Sequence, residues 1–396
     1  MNGRPAMARN RRLWDGFSRI PAAIVLAGGV FLFLVGSRSW ADVCEQPGPV
    51  CAARAAVFAV SSFDPVASAV RIAPNTLVTS RHAIADEAEV TVFAAEGQPL
   101  PATVLPSDYP GDLVLLSVPG LPPGPVMEVS ADSKPDVGEL VYSVGADVSK
   151  GAIRAYSGGA VLMPPAADRP LARLHHMAYS QPGNSGGALV SGEGRLVGII
   201  ASGGEGRYEA VPVMGVAELQ TRSGAGFAEA SKAIGKAVRD CTLLLEDRRG
   251  KRAPLTDAEA ESIESACMAT ENRQYFDLAA QTFGGSGMLG RSFEASKASL
   301  EQDPNSLNAR LTAAINYHLA RWYEEEIPHL RFLMQHIPDD PQVIRLGIQA
   351  GVWGGDADLA AAAFDRLKAS NPNMVAAAQK FLENPPPRAP RMELPQ

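Results

Sequence analysis

The sequence predicts a multidomain chain, an all-β barrel or sandwich followed by an all-α half. Three observations predict it. At 396 residues the chain is too long for one ordinary core. Between about residues 51 and 216 it is rich in Val, Gly, Pro and Ser, in short apolar runs such as "RIAPNTLVTS", "GDLVLLSV", "GELVYSVGA" and "GRLVGIIASGG". Short strands at this spacing, with no amphipathic helices between them, are the pattern of an antiparallel barrel or sandwich. After "TRSGAGFAEA", near residue 222, Ala, Leu, Glu and Lys recur at helical spacing instead.

Residues 1–41 read as a signal peptide or membrane anchor. Arg4, Arg9, Arg11, Arg12 and Arg19 precede the apolar run "IPAAIVLAGGVFLFLVG", and Ser39 and Ala41 stand at the small positions of a cut after Ala41. That pattern is a secretory signal, while 17 apolar residues also reach the short end of a membrane span. Cleaved and retained forms both stay open. Either places the rest of the chain in the periplasm or outside the cell, with an inner-membrane anchor in the retained case. The four cysteines suit an oxidising compartment. Proximity in sequence favours Cys44 with Cys51 and Cys241 with Cys267, the alternative being four free thiols. No Cys/His spacing resembles a zinc site, and no metal or cofactor is expected. A net charge of −7 and a pI near 5.5 exclude a nucleic-acid binder, which needs clustered Lys and Arg.

Residues 42–222 hold the β-rich half and 223–383 the helical half. Thr256 and Glu259 form a capping-box signature. Asp303-Pro304, Asp340-Pro341 and Asn371-Pro372 each set an N-cap acceptor before a proline suited to a first helical turn. The prolines lie 37 and 31 residues apart, a period that resembles the tetratricopeptide repeat over about residues 290–383. A plain helical bundle is the alternative. Residues 384–396, "NPPPRAPRMELPQ", are proline-rich and expected to be disordered.

The chemistry centres on "QPGNSGGALV", where Ser185 stands among glycines. A serine hydroxyl needs a base to remove its proton, usually histidine. A carboxylate must orient that imidazole, and backbone N–H groups must meet the oxyanion. The β-rich half offers His82, His175 and His176 as bases; Asp112 stands at the mouth of an apolar strand, whereas Asp108 reads as solvated. Taken alone, His82 reads as structural and Asp112 as a turn residue. His82, Asp112 and Ser185 nevertheless occur in order, separated by 30 and 73 residues, each at the edge of a strand.

This order resembles the chymotrypsin-like serine peptidases, most closely the HtrA/Deg branch. "LVTSRHAIAD" is similar to that branch's histidine block, "GDLVLLSV" to its aspartate block and "PGNSGGALVSGEGRLVGI" to its serine block. The resemblance covers about residues 53–216. It implies a double β-barrel, His82 as general base, Asp112 as its orienter and Ser185 as nucleophile. It also implies an oxyanion hole from the backbone around Gly183, Asn184 and Ser185. Digestive relatives have aspartate where Asn184 stands, so activation without an obligatory N-terminal clip is expected. "IIASGG" is expected to pair with extended peptide through Ile200, Ala201 and Ser202. Tyr179 falls at the floor of the first specificity pocket, and the lack of an acidic residue there argues against a Lys/Arg preference. His175 and His176 suggest an acid-preferring pocket, which at most one of them can line, since adjacent strand residues face opposite ways.

The chain departs from HtrA enzymes by carrying helices where a PDZ domain is usual. The resulting expectation is an exported serine endopeptidase acting on protein or peptide substrates, its helical half engaging a partner or substrate. The alternative is a catalytically silent, peptidase-like scaffold acting through its helical half.

Overall fold

Apolar strands in the first half send alternate side chains into two different layers. In "LVLLS", Val114 and Leu116 join a cluster with Phe58, Leu77 and Val92, while Leu113 and Leu115 join one with Val144, Ile199 and Val211. A period of two explains why these runs are apolar throughout: both faces are buried. The structure, a computed structural model, describes residues 44–393 apart from 95–96, 131, 149–151, 205 and 252. The expected leader or anchor, residues 1–41, lies outside the described residues.

The first layer is the inside of a closed six-stranded barrel. Helix α1 (Gly48–Ala53) precedes β1 (Val57–Ser61), β2 (Ala67–Ala73), β3 (Thr76–Ser80), the one-turn helix α2 (Arg81–Ile84), β4 (Glu89–Phe93), β5 (Pro99–Leu105) and β6 (Leu113–Ser117). The barrel closes in the order β1-β2-β3-β6-β5-β4. A second barrel follows from β7 (Leu140–Ala146), β8 (Ile153–Ala155), β9 (Gly159–Met163), β10 (Leu174–His176), β11 (Ala188–Ser191), β12 (Leu196–Gly204) and β13 (Arg207–Pro212). Strand β7 pairs with both β9 and β11, so six strands close into a ring, with β8 against the far end of β7. The double barrel expected from the sequence is the fold observed. Val57, Val78, Leu113, Val144 and Ile199 form the layer between the barrels.

Ten helices follow among the described residues: α3 (Val213–Thr221), α4 (Ala228–Arg248), α5 (Asp257–Met268), α6 (Arg273–Gly285), α7 (Leu289–Gln302), α8 (Leu307–Ala320), α9 (Tyr323–His336), α10 (Pro341–Gly354), α11 (Ala357–Ser370) and α12 (Val375–Glu383). The capping box of Thr256 and Glu259 is present at the start of α5. Disulfides join Cys44 to Cys51 and Cys241 to Cys267, the latter stapling α4 to α5. From α6 onward, helix starts recur every 34 residues: Arg273, Leu307, Pro341 and Val375 for one set, Leu289, Tyr323 and Ala357 for the other. The N-caps Asn272, Ser306 and Asp340 keep the same spacing, each accepting a backbone N–H. This 34-residue spacing of helix starts begins at α6, ahead of residue 290. Asp303 does not cap α8: Ser306 does, and the Asp303 carboxylate is drawn into a buried charge cluster instead.

Contacts on both barrels hold the helices in place. Gly235 of α4 lies against α2 so closely that a Cβ there would sit 2.4 Å from the Ala85 carbonyl oxygen, and Arg81 Nη1 donates to Ser231 Oγ at 3.3 Å. On the second barrel, Arg273 of α6 pairs with Glu209 of β13 and donates to Asp277 at 3.0 Å. His175 Nε2 meets Asp303 at 2.9 Å, and Arg173 Nη2 donates to Asn272 Oδ1 at 3.2 Å. Burial pushes the Glu209 carboxyl up, but Arg273 outweighs it and holds the pKa below the ordinary value. Asp277, in the same cluster, is pushed up by burial to about 6.

Residues 384–393, expected to be disordered, run as a strap along the helices. Pro386 and Met392 carbonyls accept from the Trp353 and Trp322 indole N–H groups at 3.1 and 2.9 Å, and Arg388 pairs with Glu324. Proline has no N–H to satisfy, so such a strap docks through its carbonyls and interleaved arginines.

Removing Arg273 leaves buried carboxylates unpaired, a change that costs about 3–5 kcal/mol. Arg273→Met is expected to lower the urea-unfolding free energy by that amount; an unchanged midpoint shows that the cluster does not stabilise the fold.

Candidate active site

Strand register brings His82 and Asp112 together. In the β3–β6 ladder Ser80 stands opposite Leu113, so the residues just beyond β3 and just before β6 meet at one end of the barrel. The Arg81 N–H donates to the Asp112 carbonyl at 3.2 Å. The Asp112 carboxylate accepts the His82 backbone N–H at 3.0 Å through Oδ1 and faces ring Nδ1 at 2.6 Å through Oδ2. With Asp112 ionised, Nδ1 carries the ring proton and Nε2 is left as a base. Only 8% of His82 and 1% of Asp112 is exposed. Burial disfavours the imidazolium, but the charge and hydrogen bond of Asp112 outweigh it and raise the His82 pKa above its ordinary value. Burial likewise opposes the Asp112 carboxylate, yet His82 holds its pKa below the usual range. Asp108 is turned elsewhere, accepting from Arg222 Nε at 2.9 Å.

The Ser185 turn is tied to both barrels. Asn184 N–H donates to the Gln181 carbonyl at 3.0 Å across Pro182 and Gly183, whose φ of +95° a side chain rarely adopts. The buried Asn184 amide braces this turn from inside: Oδ1 accepts the Gln181 N–H at 2.9 Å, and Nδ2 donates to the Ala146 carbonyl at 3.0 Å. From the first barrel, Ser68 Oγ donates to the Gly183 carbonyl at 2.6 Å, and the Ser68 N–H donates to the Ser185 carbonyl at 2.8 Å. A Cβ on Gly186 would lie 2.2 Å from the Ser68 carbonyl oxygen and 2.8 Å from the Ser80 nitrogen. Glycine there lets the turn press against the strand that leads to His82. Among the described residues, the N–H groups of Gly183 and Ser185 donate to nothing, and no hydrogen bond joins Ser185 Oγ to His82. Catalytic hydrogen bonds are often long in a free enzyme.

Ser185 opens on a cavity of about 650 Å³ that Tyr179, Ile200, Ala201 and Ser202 also line. The four residues named from sequence therefore share a cavity with the serine. Strand β12 pairs with β13 out to Gly204, whereas its pairing with β11 ends at Ile199, which leaves Ala201–Gly204 with one free edge. Sequence reasoning missed Tyr208, whose ring lies 6.3 Å from that of Tyr179. It also missed Gln274, Leu278 and Gln281 of α6, which reach this cavity and a second one of about 1050 Å³ beside His82. Nothing in the local sequence marks them, because only the docking of α6 brings them there. Neither His175 nor His176 is among the residues lining the Ser185 cavity. The two do face opposite ways: His175 turns to Asp303, while the buried His176 ring stacks on Tyr208 at 6.0 Å. Burial pushes the His176 pKa down to about 3, so it is neutral at working pH.

Residues 67–199 match the family described as a trypsin-like peptidase domain. Serine protease Rv3671c of Mycobacterium tuberculosis is 30% identical over 137 residues, covering 33% of this chain and 34% of the relative. Serine endoprotease DegS of Escherichia coli is 30% identical over 132 residues, 31% of this chain and 35% of the relative. The chain thus spans about a third of the length of these relatives. The crystal structure of the Rv3671c protease in an inactive form aligns with a TM-score of 0.39 and 23% identity, over 45% of this chain and 98% of that one. The chain carries a trypsin-like peptidase domain, homologous to these serine proteases.

A base with a raised pKa gains its neutral form only as pH climbs through that value. Labelling of Ser185 by a fluorophosphonate is expected to rise with pH to a midpoint above the ordinary histidine value of 6.5. Asp112→Asn, which removes the raising charge, is expected to lower that midpoint and to slow labelling by about 10⁴-fold. A parent midpoint at or below 6.5 counts against the His82–Asp112 pairing as the source of the base.

Proposed function

We propose that the trypsin-like domain makes this chain a serine endopeptidase that cleaves protein substrates through an acyl-enzyme on Ser185. The observation that carries the reading is the buried 2.6 Å contact between His82 and Asp112. It lies beside a glycine-framed serine turn whose oxyanion-side N–H groups are unbonded among the described residues. His82 Nε2 takes the Ser185 hydroxyl proton as Oγ attacks the scissile carbonyl carbon. Gly183 and Ser185 N–H groups meet the resulting oxyanion. The C–N bond then breaks, and the amine leaves with the proton that His82 returns. Water, deprotonated by the same imidazole, attacks the acyl carbon; the ester bond to Ser185 Oγ breaks, the imidazolium returns the proton to Oγ, and the new carboxylate is freed. Asp112 keeps the imidazole in the required tautomer throughout. Asn184, already satisfied inside its turn, needs no freed N-terminal amine, which supports activity without an obligatory N-terminal clip.

Substrate is read as an extended segment added to the free edge at Ala201–Gly204, with Tyr179 and Tyr208 walling the first pocket. Export through the N-terminal signal or anchor is supported by the two disulfides, which suit an oxidising compartment. The 34-residue helix-pair period supports a tetratricopeptide-like role for the helical half in engaging a partner or substrate. A cavity of about 1180 Å³ lined in part by Phe293, Tyr317, Trp322 and His329 is the place for such a ligand.

A fluorophosphonate is expected to label the folded protein at Ser185. Labelling disappears in Ser185→Ala and falls at least about 10⁴-fold in His82→Ala. Folded protein that stays unlabelled overturns the peptidase reading and leaves the function with the helical half.

A further inference from the structure

Helix α6 presents two faces to the second barrel, and they do different things. Arg273 and Asp277, one turn apart, enter the buried charge cluster with Glu209 and Asp303. Gln274, Leu278 and Gln281 follow the i, i+4, i+7 spacing of a single stripe on the adjoining face. All three line the Ser185 cavity, and all three also line the separate cavity that holds His82 and Asp64. Besides this stripe, Pro182 of the serine turn and Gly203 of β12 are the only described residues that border both cavities. The α6 stripe, Pro182 and Gly203 therefore form the boundary between the Ser185 cavity and the cavity beside His82.

We infer that α6 is a wall of the substrate cleft, and that Gln274, Leu278 and Gln281 determine specificity for the residues preceding the scissile bond. This rests on the peptidase reading above and extends it. An extended peptide bound along the free edge at Ala201–Gly204 passes between that edge and α6. The stripe carries no charge: two amides flank one leucine. The amides can bond the peptide's outward N–H and C=O groups, which an edge strand leaves unpaired on its far side. Leu278, partly buried against the helical core, offers an apolar contact to a side chain directed at α6. The substrate chemistry is accordingly an extended segment with an uncharged, partly apolar residue facing this stripe; the charged Asp277 and Arg207, which also line the Ser185 cavity, lie off it. The helix cannot drift from this position, because Arg273 fixes it to β13, and Glu209 in turn accepts from Ser202 Oγ of the substrate edge at 3.1 Å. Arg273 is in this sense a positioning residue for the cleft.

The test uses the full chain and peptidyl diphenyl phosphonates of one to four residues, with a simple fluorophosphonate as the probe that needs no peptide. Rates of Ser185 labelling by the phosphonates, divided by the fluorophosphonate rate, report the subsites without turnover. Leu278→Ala is expected to flatten the preference for an apolar residue at one subsite by about tenfold. Gln281 is exposed, so Gln281→Lys keeps the fold and serves if Leu278→Ala is unstable. It is expected to favour Glu over Lys at one subsite by about threefold to fivefold relative to the parent. Profiles that superimpose on the parent's overturn the inference. So does a parent labelled by the fluorophosphonate but by no peptidyl phosphonate, since α6 is then a plug. A parent that even the fluorophosphonate leaves unlabelled overturns the peptidase reading itself, and this inference with it.

Discussion

The ion pair between Arg273 of α6 and Glu209 of β13, inside a cluster with His175, Asp277 and Asp303, is the interaction on which the arrangement depends. Buried charges are tolerated only when each finds a partner in good geometry. Here the partners come from two halves of the chain that differ wholly in secondary structure. Neither half can satisfy the cluster alone: the barrel supplies Arg173, His175 and Glu209, the helices supply Asn272, Arg273, Asp277 and Asp303. The cluster therefore specifies one docking geometry where an apolar contact would allow several. Fixing α6 also fixes what stands over the cleft.

A second grip, on the other barrel, completes the arrangement. Gly235 and Arg239 of α4 hold the segment just after His82, with Arg239 reaching Asp86 and Glu87. The helical half thus touches the barrel that carries His82 and Asp112 and the barrel that carries Ser185. In a double-barrel peptidase the reacting groups come from opposite sides of the interface, so their separation depends on how the barrels sit. Ser68 and Gly186 set that contact from within, through hydrogen bonds and the lack of a Cβ. The helices brace it from outside.

Much of this was legible in the sequence. The alternation in "LVLLS" and its neighbours marked strands, and the three blocks around His82, Asp112 and Ser185 marked the barrel ends that the register then brings together at His82 and Asp112. The capping box at Thr256 and the proline-led helix at Pro341 were visible for the same reason: caps are local chemistry. Asp303 misled, because an aspartate before a proline can cap a helix or pair with a distant charge, and only packing chooses. The proline-rich tail misled likewise, since composition does not show that two tryptophan indoles await its carbonyls.

The sequence by itself determined the strands, the order of the candidate reacting residues, the glycine geometry of the serine turn and the change from strands to helices along the chain. Each depends on neighbours a few residues apart, so periodicity and motif carry it. Tertiary structure alone decided that Arg273 meets Glu209, that His175 turns to Asp303 while His176 stacks on Tyr208, and that α6 shares the serine cavity with the free edge of β12. These contacts join residues from 32 to 128 positions apart, and their energy comes from burying complementary charge and shape, which no local pattern records.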